Sequence, residues 1–526
     1  MLIQPDTNIR LIRNCPLDNS YDHTLYFNSR EEQTTYFKSL AGFPLSKQSY
    51  QRYDKSVLHV QLLADNIYDC NYLMFQNSSF GTKWFYAFIT SVEYVNNVSS
   101  KVYYEIDVMQ TWLHDYEPGM CYIEREHSVS DVVGENTVPE GLDTGEYISE
   151  TFDVPSVDNV PIMSGKVIVV ASTFDKEYKD VGGTAYGGLY SGLAFNVFEN
   201  TNDGMLECAN FILNAGAKTE GIVSVFVMPK AFVTNGLESA KTYEFSYGKN
   251  MNPYNFDFKN KKLLTYPYNF LYISNLQGQS AVFPYEYFNS DGCDFIMGGD
   301  MSCNPSVVLA PKNYKGVVIN YDEKMVLSGF PQCSYSTDSF KAWLAQNAGS
   351  LAVNAIGLAG NTALGVGQNA AQMQLANTTG SIYGHQMASL SGAGLGLSLA
   401  TSIAGTMVNI AQHSFMPDQA HVGSGSVAMY SLGLLQFAFM QKHIKNEYAH
   451  IIDEYFNMFG YATHRVKKPN RNSRPHWNYV KTIGFVMTGA VPGDDSKKIC
   501  NIYDRGITFW HNGDEVGHYE LDNRPI

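Results

Sequence analysis

Between Ala342 and Pro417 the chain runs for 76 residues without a single Asp, Glu, Lys or Arg. At the chain-wide charged fraction of 17%, about 13 would stand there. A domain of ordinary surface needs charged groups facing water, so this stretch has to be covered by its own packing, by an assembly or by lipid. Two apolar runs make up much of it, Ser350–Gly367 and Leu390–Val408, separated by a polar, turn-prone stretch that includes Asn377–Gln386. Each run approaches the roughly 20 residues with which a helix crosses a hydrocarbon core. Asn354, Asn361, Ser398, Thr401 and many glycines dilute both runs, so one copy alone enters a bilayer only marginally. Gly392 and Gly396 form a GxxxG, a weak signal for close helix approach. The pattern suits a segment sheltered from water and released conditionally, with several copies entering lipid together. A helical hairpin in a core, or a flexible neutral plug, is the plainer alternative.

The remainder reads as ordinary folded protein. At 526 residues the chain exceeds one core, and 44% hydrophobic residues suffice for several. Thirty-six basic against 51 acidic residues give a net charge of -15, which disfavours stable binding of nucleic acid over a broad surface. It does not exclude DNA that passes without sticking. The N-terminus shows no basic stretch followed by an apolar run, so no secretory signal is read. Eight scattered cysteines without a CxxC pair read as free thiols of a reducing cytoplasm.

Period-two patterning dominates. Lys83–Val95 and Lys101–Leu113 are aromatic and β-branched runs joined by a turn-like NNVSS, which predicts a hairpin with Tyr104, Ile106 and Val108 facing inward. Residues 155–340 alternate short apolar runs with turns and predict short strands without long helical periodicity. Near the C-terminus, Ile444, Tyr448, Ile451, Ile452, Tyr455 and Phe459 predict one helix face closed by Gly460. Asn512-Gly513 predicts a hairpin turn. The fold class expected is mainly β with some α, in several domains.

Candidate chemistry is sparse. Glu105 and Asp107 fall on one side of a predicted strand and read as a solvated or interface face before a catalytic pair. Glu124-Arg125-Glu126-His127 reads as an ion-pair network at a subunit contact before a catalytic site. Arg465, Lys467, Lys468, Arg471, Arg474 and Lys481 are basic, with Trp477 and Tyr479 among them and no acidic residue between Tyr455 and Gly493. That is the pattern of a nucleic-acid patch, though pairing with an acidic neighbour suits a chain of this charge better. His385 and His413 are the groups in the neutral segment that titrate near neutrality; mobile polar residues are the plainer reading. No HExxH, GxSxG or GxxxxGK[ST] occurs, and neither catalytic residues, metal ligands nor cofactors are expected.

Several uncommon stretches occur in a familiar order: YLMFQNSSFGTKWFYAFITSVEY, YYEIDVMQTWLHD, EREH, PEGLDTGEY, YATHRVKKPNRNSRPHWNYV and IYDRGITFWHN. Over roughly the first 150 and last 100 residues the chain resembles the distal tail tube (tail knob) proteins of small short-tailed bacteriophages of Gram-positive hosts. The resemblance implies a β-rich subunit of a homo-hexameric tube at the virion tail tip, made in the host cytoplasm. Other phage tail proteins and the host cell membrane are its implied partners, with genomic double-stranded DNA in transient passage. Neutral loops of the family plug the lumen and then join the host membrane during genome ejection. The expected domains are 1–150 and 151–341, both β-rich, a neutral segment at 342–429, and a helix-plus-strand domain at 430–526. The membrane-active positions expected in the first run are Leu351, Val353, Ile356, Leu358, Leu364 and Val366. In the second they are Leu390, Leu395, Leu397, Leu399, Ile403, Met407 and Val408. Arg465, Lys467, Lys468, Arg471 and Arg474 are expected at an interface or facing DNA. A tail protein that binds a receptor or cell-wall glycan is the alternative function.

Overall fold

A computed structural model describes residues 7–48, 56–77, 81, 83–181, 185–186, 189–190, 193–199, 201–233, 241–301, 305–330, 332–334 and 435–525. The neutral segment, with every membrane-active position named above and with His385 and His413, lies outside the described residues. The chain is mainly β with a few helices, as the patterning predicts. It divides into two compact units, each discontinuous in sequence.

The first unit comprises residues 1–145, 254–268 and 445–526. The two ends of the chain therefore share one unit, where the sequence suggested separate terminal domains. Its six-stranded antiparallel sheet runs Gly42–Gln48, Thr7–Arg13, Cys70–Asn77, Phe85–Asn96, Ser99–Ile106, Val57–Val60. The predicted hairpin is present, with Ala87 opposite Ile106 and Val92 opposite Val102. Its second strand stops at Ile106, earlier than predicted. Asp107 accepts from the Gln110 N–H and caps a helix at Val108–Trp112, so Val108 and Met109 are buried on helical turns.

The second sheet of this unit runs His23–Leu25, Ile507–Trp510, Trp477–Ile483, Cys121–Glu126, Tyr461–Lys467; only the first pair is parallel. Trp477, Val480, Ile507, Phe509 and Trp510 are sealed from solvent in the core they share with Ile123 and Tyr503. The hairpin expected at Asn512-Gly513 does not form. Asn512 instead accepts from the Asp514 N–H and starts a short 3-10 turn, which satisfies the backbone locally.

The predicted helix spans Asn446–Phe459, and Gly460 (φ 65°) closes it by donating to the Phe456 carbonyl; a second helix, at Gly493–Arg505, was not predicted. Ile444 precedes it in the strand Ala438–Ile444 of the other unit. The buried face is Ala449, Ile452, Asp453, Phe456 and Asn457, rotated from the predicted one; Ile451 is exposed. Two buried polar residues, Asp453 and Asn457, account for the rotation.

The second unit comprises residues 146–253 and 269–444. One four-stranded sheet runs Tyr147–Ser149, Ala438–Ile444, Asn269–Ser274, Ser280–Phe283; another runs Ala194–Glu199, Lys166–Ser172, Ile222–Pro229, Gln332–Ser334. A further sheet is built on Thr242–Gly248, Gly292–Asp300 and Ser306–Tyr314. In Lys166–Ser172 both faces are apolar because both are covered. Val167 and Val169 join the large core with Phe226 and Phe295, while Ile168 and Val170 meet Phe198 and Phe211. Phe211 comes from a helix at Asn202–Asn214 that the turn-rich composition did not predict.

Candidate functional site

The stretches EREH, PEGLDTGEY and YATHRVKKPNRNSRPHWNYV converge in the first unit on one buried polar cluster. The strand Cys121–Glu126 delivers Arg125 and Glu126 to its end, and the following loop brings back Glu140. The Glu140 carboxylate is fully enclosed. It pairs with Arg125 and with Lys262, and accepts from the Ala462 N–H at 3.0 Å. Arg125 donates to the Gly460 carbonyl at 2.6 Å and lies 4.8 Å from the centre of the Tyr455 ring. Lys262 also donates to the Val138 carbonyl, between the rings of Phe456 and Tyr461. Burial lowers the Lys262 ammonium from its ordinary range, and the Glu140 carboxylate works against that shift.

Glu126 points inward, pairs with Lys467 and accepts from the Asn470 N–H at 3.0 Å. Burial raises its carboxyl. Beside it His127 is enclosed, and both ring nitrogens face backbone. Nδ1 accepts from the Tyr479 N–H at 2.7 Å, which fixes the proton on Nε2, where it is donated to the Asn457 carbonyl at 3.1 Å. Burial first, then the Arg474 charge, pushes this imidazole down to about 3.

Asp131 accepts from the Tyr461 hydroxyl at 2.5 Å and the Lys261 N–H at 2.9 Å. Asp453 accepts from the backbone of Lys259 and Asn260 and from the Asn260 amide. Burial raises both carboxyls. Asn523, near the C-terminus, pairs with both backbone groups of Trp477 as a strand would.

Two glycines make this packing feasible. Gly145 has φ 59°, and a Cβ there would lie 2.4 Å from the Tyr448 ring. Gly460 passes so close to the Glu126 carbonyl that a Cβ would come within 2.2 Å of its oxygen.

The five basic candidates do not form one patch. Arg474 is buried, donating to the carbonyls of Asn523 and Ser128. Arg471 lies within 6 Å of the rings of Tyr26 and Tyr116. Lys467 is tied to Glu126. Arg465 and Lys468 alone of the five are exposed. The interface or DNA-facing expectation therefore fails for Arg474, because a guanidinium inside its own unit reaches neither partner. Glu124-Arg125-Glu126-His127 is an ion-pair network as expected, with Lys481 2.8 Å from Glu124. Its other three members are buried within one chain, which corrects the expectation of a subunit contact. Glu105 pairs with Lys498, while Asp107 is enclosed, accepts from Tyr72 at 2.8 Å, and is raised by burial to about 6. Asp131, Lys262, Asp453 and Asn523 were not identified from the sequence. Lone polar residues in loops and on a helix carry no periodic signal, whereas Glu140, like Arg125, Glu126 and His127, lay inside a stretch singled out beforehand.

Chemically the cluster is closed: its carboxylates and cations spend themselves on one another and on backbone. Among the described residues no group of three or more His, Cys, Asp or Glu could hold a metal ion.

Comparison with known proteins agrees with a structural role. Residues 230–524, more than half of the chain, match the family model of the C-terminal domain of tail knob protein gp9 from Bacillus phage phi29. Residues 5–117 match the N-terminal model of caudoviral major tail proteins. Tail knob proteins gp9 of Bacillus phages phi29 and B103 are 24% and 26% identical, each aligned over 98% of both chains. The fold resembles the tail knob protein gp12 of bacteriophage C1, with a TM-score of 0.63, 15% identity and coverage of 99% of this chain and 100% of that one.

Proposed function

The chain belongs to the family of the phi29 tail knob protein gp9, and from that premise we propose that it is one subunit of a sixfold tube at the tail tip, whose neutral segment closes the bore and later enters the host membrane. As a tail knob protein it is a structural component of the virion tail. The plug rests mainly on one observation, the 76 uncharged residues and where they are rooted, while the sixfold tube rests on the family likeness. The last strand described before them, Gln332–Ser334, and the first after them, Ala438–Ile444, both belong to the second unit. The segment can therefore leave and enter lipid without taking a strand from any described sheet. Leaving is favourable when apolar surface passes from a wet lumen to lipid, and six copies multiply a gain that is marginal for one.

A conduit should let phosphates slide. The net charge of -15 supports this, as does the internal use of Arg471, Arg474 and Lys467, because a bore studded with free cations would retain the genome.

Purified protein should release dye from loaded liposomes, and deletion of residues 342–417 should abolish release while electron microscopy still shows rings. Equal leakage by the deletion variant would reduce the segment to a plug. Isolated globules from the intact chain would remove the tube.

A further inference from the structure

In the second unit, the sheet built on Thr242–Gly248, Gly292–Asp300 and Ser306–Tyr314 has an open strand on either side. On one side Thr242–Gly248 pairs with Gly292–Asp300 step by step, with no bulge and no proline. Its other side meets no strand among the described residues. Beyond the Gly292–Asp300 ladder, its backbone finds one partner among them, the Gln441 amide, which donates to the Gly248 carbonyl at 2.8 Å. Tyr243, Phe245 and Tyr247 line one face, half-buried, and Thr242, Glu244 and Ser246 stand exposed on the other. A regular aromatic edge of this kind is a template for a further strand.

Other long edges are blunted. Gly42–Gln48 holds Pro44 and turns Lys47 to φ 55°, and Tyr461–Lys467 is bulged with His464 at φ 47°. In Ala194–Glu199 the Val197 carbonyl is taken by the Lys176 ammonium. Thr242–Gly248 carries none of these devices.

The opposite side of the same sheet offers a complement. Ser306–Tyr314 turns through Lys315 and Gly316, both at positive φ, into the short strand Val317–Ile319. Tyr314 and Val317 close this two-residue turn, so the N–H and C=O of Val318 point away from the sheet. Val318 is 71% exposed and Val317 47%, so both faces of the edge show apolar surface to water. Val317 stands opposite Tyr314, whose core Phe245 and Tyr247 also border, and therefore lies on the aromatic side.

Strand direction joins the two edges. Each of the four successive strands is antiparallel to its neighbour, so the outer two run in opposite directions. In a ring every copy keeps its strand directions relative to the axis. Val317–Ile319 of one copy and Thr242–Gly248 of the next therefore meet antiparallel, which continues the alternation across the contact.

We infer that Val317–Ile319 of one copy adds to the edge Thr242–Gly248 of the next, with Val318 exchanging backbone hydrogen bonds and Val317 packing on the aromatic row. The inference rests on the ring proposed above and names a contact that builds it. Because the two edges differ, the contact is head-to-tail, the kind that closes a ring when the rotation permits.

Val318→Lys and the double variant Thr242→Lys/Ser246→Lys each place lysine on one edge and leave the other intact. In sedimentation of the full-length chain each should weaken association at least about tenfold, with thermal unfolding little changed because all three side chains are exposed. Mixed in equal amounts, the two variants keep one intact pair of edges between them, so they should form dimers and nothing larger. Rings from either variant, or a mixture without dimers, would overturn this contact alone. A wild-type chain that stays monomeric at every concentration would overturn the ring and this contact with it.

Discussion

His127 is a neutral residue by construction: one ring nitrogen already accepts from Tyr479 and the other already donates to Asn457. A folded value near 3 against an ordinary 6.5 means that the native chain excludes a proton the unfolded chain takes up, so its contribution is lost as pH falls below 6.5. One excluded proton is worth roughly 2 kcal/mol between pH 6.5 and pH 5. Asp107 works in the opposite sense. Its raised carboxyl binds a proton better when folded, so its contribution is full at low pH and is lost as pH rises through about 6. The two are separated by difference. His127→Gln should be less stable than wild type at pH 7, and that gap should close by roughly 2 kcal/mol by pH 5 in chemical unfolding; a gap independent of pH would refute the account. Residue types were legible here and partners were not. Glu-Arg-Glu-His announces ion pairs, but Lys262 and Glu140 are 122 positions apart and meet only because the chain folds back.

At the scale of elements, periodicity located the hairpin and the helix Asn446–Phe459 but misjudged their limits for one reason. Polar residues that satisfy backbone groups look like surface in a sequence. Asp107 looked like the wet side of a strand and is a helix cap. Asp453 and Asn457, absent from the apolar face predicted for the helix, lie inward, leaving Ile451 in water. Asp453→Ala should cost about 3 kcal/mol or more, because the Lys259 and Asn260 donors would stay buried without a partner. Asp453→Asn, which keeps an acceptor, should cost distinctly less. Urea unfolding of the two variants checks the order, and equal losses would show that packing volume matters more than the hydrogen bonds.

For the whole molecule, neither pattern nor composition showed that distant ends of the chain form one unit, because sheet order is set by long-range pairing that leaves no local trace. The five-stranded sheet takes three of its strands from beyond residue 445. A chain cut after Ile444 should thus lose the first unit while the second, which keeps every strand assigned to it, survives. Limited proteolysis should digest residues 1–145 of that fragment and spare much of 146–334; protection of both would contradict the division. The order of synthesis gives this arrangement a further meaning. Ile507–Trp510 leaves the ribosome after every other strand of the five-stranded sheet, yet it lies between His23–Leu25 and Trp477–Ile483. A chain abandoned anywhere before it never closes that sheet, so prematurely ended products carry their own disqualification from the tail.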